Sequence, residues 1–166
     1  IYQPATKKWT QYFESNFISK VAVRPLVVQG INAEMSGTVM PSSPGARFYV
    51  TYQNNTPLTL KNVVVRAFIE GDRSILRPET MEFADGGVFD VSTQQVVWTG
   101  ANVADLRNLA PGESGQFSVS VRLHNPPIVQ SEQDTNPHLR LHTFISVQDI
   151  PPGLEGIDLS SEDTLD

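Results

Sequence analysis

The 166-residue sequence contains no cysteine. Disulfide staples, thiolate metal sites and a cysteine nucleophile are excluded at once. Charge is also scarce: Asp, Glu, Lys and Arg make up 18% of the residues, against roughly 25% in an ordinary soluble domain. That composition does not fit a coiled coil or long-helix protein, which is rich in Ala, Glu, Lys and Leu. No apolar run approaches the roughly 20 residues that a bilayer-spanning helix needs. Basic side chains are outnumbered, 12 against 18 acids, for a net charge of −6. Nucleic-acid binders usually carry a basic patch that neutralises phosphates, so that class is disfavoured.

Twelve prolines and eleven glycines punctuate the chain, mostly between apolar stretches. That is the rhythm of an all-β protein. The clearest strand covers 116–123. Phe117, Val119, Val121 and Leu123 point one way and Gln116, Ser118, Ser120 and Arg122 the other, a period of two that marks a half-buried antiparallel strand. Phe48, Val50 and Tyr52 alternate in the same way, as do Val63, Val65, Ala67 and Ile69. Leu139, Leu141, Thr143, Ile145 and Val147 repeat the pattern over 138–149. Shorter strands are expected at 21–24 and 26–28, on either side of Pro25, at 74–77, stopped by Pro78, and at 95–98, anchored by Trp98. Pro111-Gly112 fits the central pair of a type II turn and is expected to pre-set the hairpin that launches the Phe117 strand.

Seven or eight such strands predict an immunoglobulin-like antiparallel β-sandwich, with a closed barrel as the competing architecture. Trp9, Tyr12, Phe13 and Phe17 are spaced as one face of a short helix. The expected division is an N-terminal aromatic arm over 1–20, the sandwich over 21–150, and an acidic linker or tail over 151–166. The arm either packs on the sandwich or offers an aromatic surface to a neighbouring domain. The chain opens at Ile1 without a charged stretch followed by an apolar one. It therefore reads as a piece cut from a longer polypeptide, or as a processed form of one.

Several groups of residues have types and spacings that bear on chemistry. His138 and His142 have the i, i+4 spacing that chelates a metal on a helix, but on a strand they stand roughly 13 Å apart. Asp85 and Asp90 bracket Gly86-Gly87 and fit a plain turn better than a calcium or acid–base pair. Gly112-Glu113-Ser114-Gly115 misses the nucleophile-elbow spacing by one position. Lys61 beside Asn62 does not by itself specify an internal amide bond, and Asn54-Asn55-Thr56 matches a glycosylation acceptor. No glycine-rich phosphate loop is present. No catalytic residue, cofactor or metal ion is expected.

Phe48-Tyr49-Val50-Thr51-Tyr52-Gln53-Asn54-Asn55 is followed by Leu60-Lys61-Asn62-Val63-Val64-Val65. Asp85-Gly86-Gly87-Val88-Phe89-Asp90, Val96-Val97-Trp98 and Leu109-Ala110-Pro111-Gly112-Glu113-Ser114-Gly115 come after. Together, over residues 44–125, this set resembles the conserved-repeat domains, related to CARDB-type adhesion modules, of large bacterial cell-surface proteins. The resemblance implies an exported immunoglobulin-like sandwich, usually strung in arrays and without general catalytic residues. The expected function is a non-catalytic structural or adhesive module, extracellular or on the cell surface. It would contact neighbouring domains of the same chain or other surface proteins. The alternative is a carbohydrate-binding module whose contacts are the outward aromatics Tyr49, Phe68 and Phe144. A hydrolase has the least support.

Overall fold

The computed structural model describes residues 2–3, 8–9, 23–33, 45–124, 127–128 and 138–166. Near the start, β1 (Tyr2–Gln3) pairs antiparallel with β2 (Lys8–Trp9). Trp9 is thus extended and not on a helical face, and Tyr12, Phe13 and Phe17 lie outside the described residues.

The chain then forms β3 (Leu26–Asn32), β4 (Gly45–Asn54), β5 (Leu60–Gly71), β6 (Leu76–Phe83), β7 (Val88–Asp90) and β8 (Gln95–Thr99). One helical turn, α1 (Ala104–Arg107), precedes β9 (Asn108–Leu109), β10 (Ser114–Leu123), β11 (Leu139–Asp149) and β12 (Ser160–Leu165). Two antiparallel sheets result. One has the order β3-β4-β10-β6, the other β12-β11-β5-β8-β7, with β9 added against β5. The fold is an immunoglobulin-like sandwich: β3-β4-β10-β6 and β12-β11-β5 follow the ABED and GFC orders of that architecture.

The alternating positions fill the space between the sheets. Phe117, Val119 and Val121 face inward opposite Val50, Phe48 and Ala46. From the other sheet, Val65, Ala67 and Ile69 lie in register with Ile145, Thr143 and Leu141, all buried. Thr143 is the polar member of that set, and its hydroxyl donates to the Asp163 carbonyl at 3.3 Å. Trp98 is fully buried, and its indole N–H donates to the Ala84 carbonyl at 3.0 Å. Apolar burial at about 25 cal/mol per Å² makes such residues the main source of stability.

Four expectations need correction. No strand forms at Val23 and Arg24; pairing starts only after Pro25, and Val23 is exposed. Ser74 and Ile75 lie in a turn, and β6 begins at Leu76 and runs through Pro78. Pro78 is tolerated because β6 is an edge strand and its register against β10 shifts there. The Arg122 N–H, at that shift, donates to the Thr80 hydroxyl at 2.9 Å instead. Pro111-Gly112 does form a tight turn, with Gly112 at φ +76 and the Glu113 N–H donating to the Ala110 carbonyl. It links the two sheets, however, and does not close a hairpin.

The fourth correction concerns the tail. Leu154 and Leu159 are buried in the core. β12 pairs with β11 from Leu141 opposite Leu165 to Ser146 opposite Ser160. The acidic residues 151–166 therefore include the last strand of the sandwich. Asp163 is put to structural use: its carboxylate accepts the Gly30 N–H at 2.9 Å, which satisfies a donor of the edge strand β3.

Candidate functional site

The outer face of the six-stranded sheet carries a continuous cross-strand row. Glu162 on β12 stands opposite Phe144 on β11, Phe144 opposite Arg66 on β5, and Arg66 opposite Val97 on β8. A second row places Thr164, His142 and Phe68 side by side. Strand alternation dictates this face: the same strands bury Ile145, Val65 and Ala67 on their other side. Phe68 and Phe144 are therefore diagonal neighbours on one surface. Tyr49 is not with them. It sits on the four-stranded sheet, between Ile31 and Ser118, so the three outward aromatics do not make one platform.

Phe144 lies in a cleft of about 980 Å³. Arg66 and Glu162 flank it, Arg24 and Asp158 come from the segments leading into β3 and β12, and Asp90 comes from the end of β7. The two aspartates are held by their own turns. Asp158 accepts from the Ser160 N–H at 3.0 Å and hydroxyl at 2.6 Å. Asp90 accepts from the Ser92 N–H at 2.9 Å and hydroxyl at 2.6 Å. Those Ser92 bonds, the hydroxyl first, hold the Asp90 carboxyl below the usual carboxylate range. Arg24 reaches the Ser161 hydroxyl at 3.5 Å. The arrangement offers an aromatic floor with donor-only guanidinium groups and acceptor-only carboxylates around it.

His142 stacks on Phe68 with 6.0 Å between ring centroids. Its two ring nitrogens lie 2.9 Å from a Glu70 carboxylate oxygen and 3.1 Å from the Thr164 hydroxyl. This carboxylate–imidazole–hydroxyl chain ties β5, β11 and β12 together on an open sheet face. His138 is exposed and apart from it, its backbone N–H donating to the Asp72 carboxylate. Among the described residues no group of three His, Asp or Glu side chains is placed to hold a metal.

The remaining motifs resolve into architecture. Asp85 and Gly86 both have positive φ, 64 and 78, the pattern of a type I′ turn. Ser114 opens β10 on the surface. Lys61 stands opposite both Asn108 and Asp149, but all three face water, whereas an amine nucleophile needs desolvation. Asn54 of the acceptor-like motif is fully buried. Its side-chain amide donates to the carbonyls of Leu58, Leu109 and Ala110 and accepts from Thr56.

No protein-family profile matches the chain, and no curated protein matches it. Solved structures give distant likenesses. A GH20 exo-β-N-acetylglucosaminidase from Vibrio harveyi, in complex with N-acetylglucosamine, aligns over 86% of this chain at 14% identity and a TM-score of 0.41. The chain spans only 18% of that enzyme. A FixG-related protein from Vibrio parahaemolyticus aligns over 86% of this chain and 94% of its own, at 10% identity and a TM-score of 0.36. AvmM, described as catalysing macrocyclization in alchivemycin A biosynthesis, aligns over 86% and 88%, at 16% identity and a TM-score of 0.46. Likenesses this distant imply nothing about what the chain does.

Sequence reasoning named Phe68 and Phe144 but missed Arg66, Glu162 and Asp158 as companions. Arg66 carries the right signal, an outward position on an alternating strand. Glu162 and Asp158 carry none, because their acidic segment shows no core pattern that would place it beside Phe144.

Proposed function

We propose that this chain is a non-catalytic structural or adhesive module of a larger bacterial surface protein. It acts as a spacer or protein-contact unit between neighbouring domains. The observation that supports this reading is the relation of the first and last strands of the sandwich. Arg24 touches Ser161, Gly30 bonds to Asp163, and a side chain at Gly30 would meet Leu165. Residue numbers rise together along the two strands, so β3 and β12 run side by side in parallel. The chain enters the sandwich at one end and leaves it at the other, as a string of domains requires. Tension between those ends loads the β3–β12 contact in shear, where all its bonds resist at once. The buried polar groups point the same way: Asn54 and Thr143 have their hydrogen bonds spent on holding loops and strands.

Force spectroscopy on the full chain, held through Val23→Cys and Asp166→Cys, tests the spacer role. The expected trace is a single all-or-none release of the sandwich. Peeling of β12 at low force before the rest would remove the basis for the proposal. The surface assignment is tested on intact source cells with antibodies against the folded sandwich. Labelling only after permeabilisation would overturn it.

A further inference from the structure

The spacer role makes no use of the cleft over Phe144, and the groups around that ring are arranged for a ligand. Two strand spacings separate Glu162 from Arg66 across β11, about 10 Å. Phe144 is centred between them. One pyranose ring with its hydroxyls fills that span. Among the described residues, the side chains of Arg66 and Glu162 enter no ion pair or hydrogen bond, with each other or with a third group. Asp90 and Asp158 at the rim are pre-set by Ser92 and Ser160, so their ordering cost is already met in the free protein.

The chemistry selects among ligands. An aromatic ring at the floor of a polar cleft suits a partner with an apolar C–H face and a polar edge. A guanidinium that only donates and a carboxylate that only accepts both suit hydroxyl groups, which do either. Two arginines and three acids line the cleft. Their charges nearly cancel, so neither a polyanion nor a polycation is favoured there. We propose that this cleft binds a neutral carbohydrate, one ring stacked on Phe144 and its hydroxyls held between Arg66 and Glu162. The site lies over the outer face of the six-stranded sheet, with Arg24 at its edge, and Tyr49 on the other sheet takes no part.

The test is a titration of the isotopically labelled full chain with cellohexaose, xylohexaose, mannohexaose, maltohexaose and N-acetylated chitohexaose, followed by two-dimensional NMR. At least one sugar is expected to give saturable shifts centred on Phe144, Arg66, Ser146 and Glu162. Phe144→Ala is expected to weaken that binding about tenfold or more, with Tyr49→Ala binding as the unaltered chain does. Glu162→Gln, a near-isosteric change on an exposed strand position, gives the same readout should Phe144→Ala not fold. The proposal is overturned if none of these sugars shifts the spectrum at millimolar concentration, or if shifts centre on Tyr49. Unchanged binding in both Phe144→Ala and Glu162→Gln also overturns it, as does heparin binding more tightly than every neutral sugar. A carbohydrate site lost in this way leaves the spacer reading standing, because the pulling experiment does not depend on it.

Discussion

Trp98 and Phe117 lie ring on ring, 4.7 Å between centroids and 4° between planes, one from each sheet. Tyr52 extends the stack, 5.1 Å from Phe117. The three rings bridge the sandwich at one level. Tyr52 fits because its cross-strand partner is Gly115; a Cβ there would come within 2.2 Å of the phenol oxygen. Phe117 is the middle ring, so removing it unstacks both neighbours. Phe117→Ala is expected to cost about 3–5 kcal/mol in urea unfolding, the usual range for a buried Phe. It should also change the near-ultraviolet circular dichroism of Trp98. A cost near zero would mean that the stack is not part of the core.

Asn54 joins the sheets by hydrogen bonds where the rings join them by packing. It ends β4, and its amide reaches the carbonyls of Leu109 and Ala110 before the turn into β10. Its own backbone N–H donates to the Glu113 carbonyl, and its carbonyl accepts from Gly112. Asn54→Ala leaves buried carbonyls without donors and should cost at least about 2 kcal/mol by denaturant unfolding. Asn54→Asp should be no better, since a carboxylate cannot donate to those carbonyls. A neutral Asn54→Ala would show that water substitutes for the amide.

The sandwich was legible in the sequence because its central strands obey a strict period of two. Phe117, Val119 and Val121 announce their direction without help from distant residues. The edges were not legible. Leu159 just before β12, and Ser161, Asp163 and Leu165 within it, alternate on the inner side, and two of those four are polar. Asp163 is acceptable inward only because the Gly30 N–H meets it, and Gly30 is 133 residues away. Pro78 likewise reads as a stop until β6 is known to be an edge with a shifted register. The candidate site inherits this limit. Phe144 was visible from its own strand, but Glu162 became its neighbour only through the pairing of β12.

Leu159 tests whether that last strand belongs to the fold. Its side chain is 6% exposed, like Leu154 before it. Leu159→Ala is therefore expected to destabilise by about 2–5 kcal/mol in the same urea assay. Removal of residues 159–166 should uncover Leu141 and Ile145 on the inner face of β11 and leave a chain that aggregates or unfolds. An effect of Leu159→Ala within about 0.5 kcal/mol is what a solvated linker would give.

The Tyr52 phenol links the ring stack to pH. Burial, and then the carboxylates of Asp105, Glu113 and Asp85, push its pKa from 10.0 up to about 12. In the unfolded chain the phenol loses its proton near pH 10. Below that value both states hold the proton, and Tyr52 adds no pH dependence. Between pH 10 and about 12 the unfolded state binds fewer protons than the folded one, so stability falls as pH rises. The loss amounts to about 2–3 kcal/mol by pH 12, at 1.36 kcal/mol per pKa unit. Tyr52→Phe keeps the ring and removes the ionisable group. Unfolding free energies of the two proteins should run parallel up to pH 9 or so and then diverge, the unaltered chain falling faster. Parallel curves through the whole alkaline range would mean that the phenol titrates alike in both states, and that the stack opens to water before Tyr52 ionises.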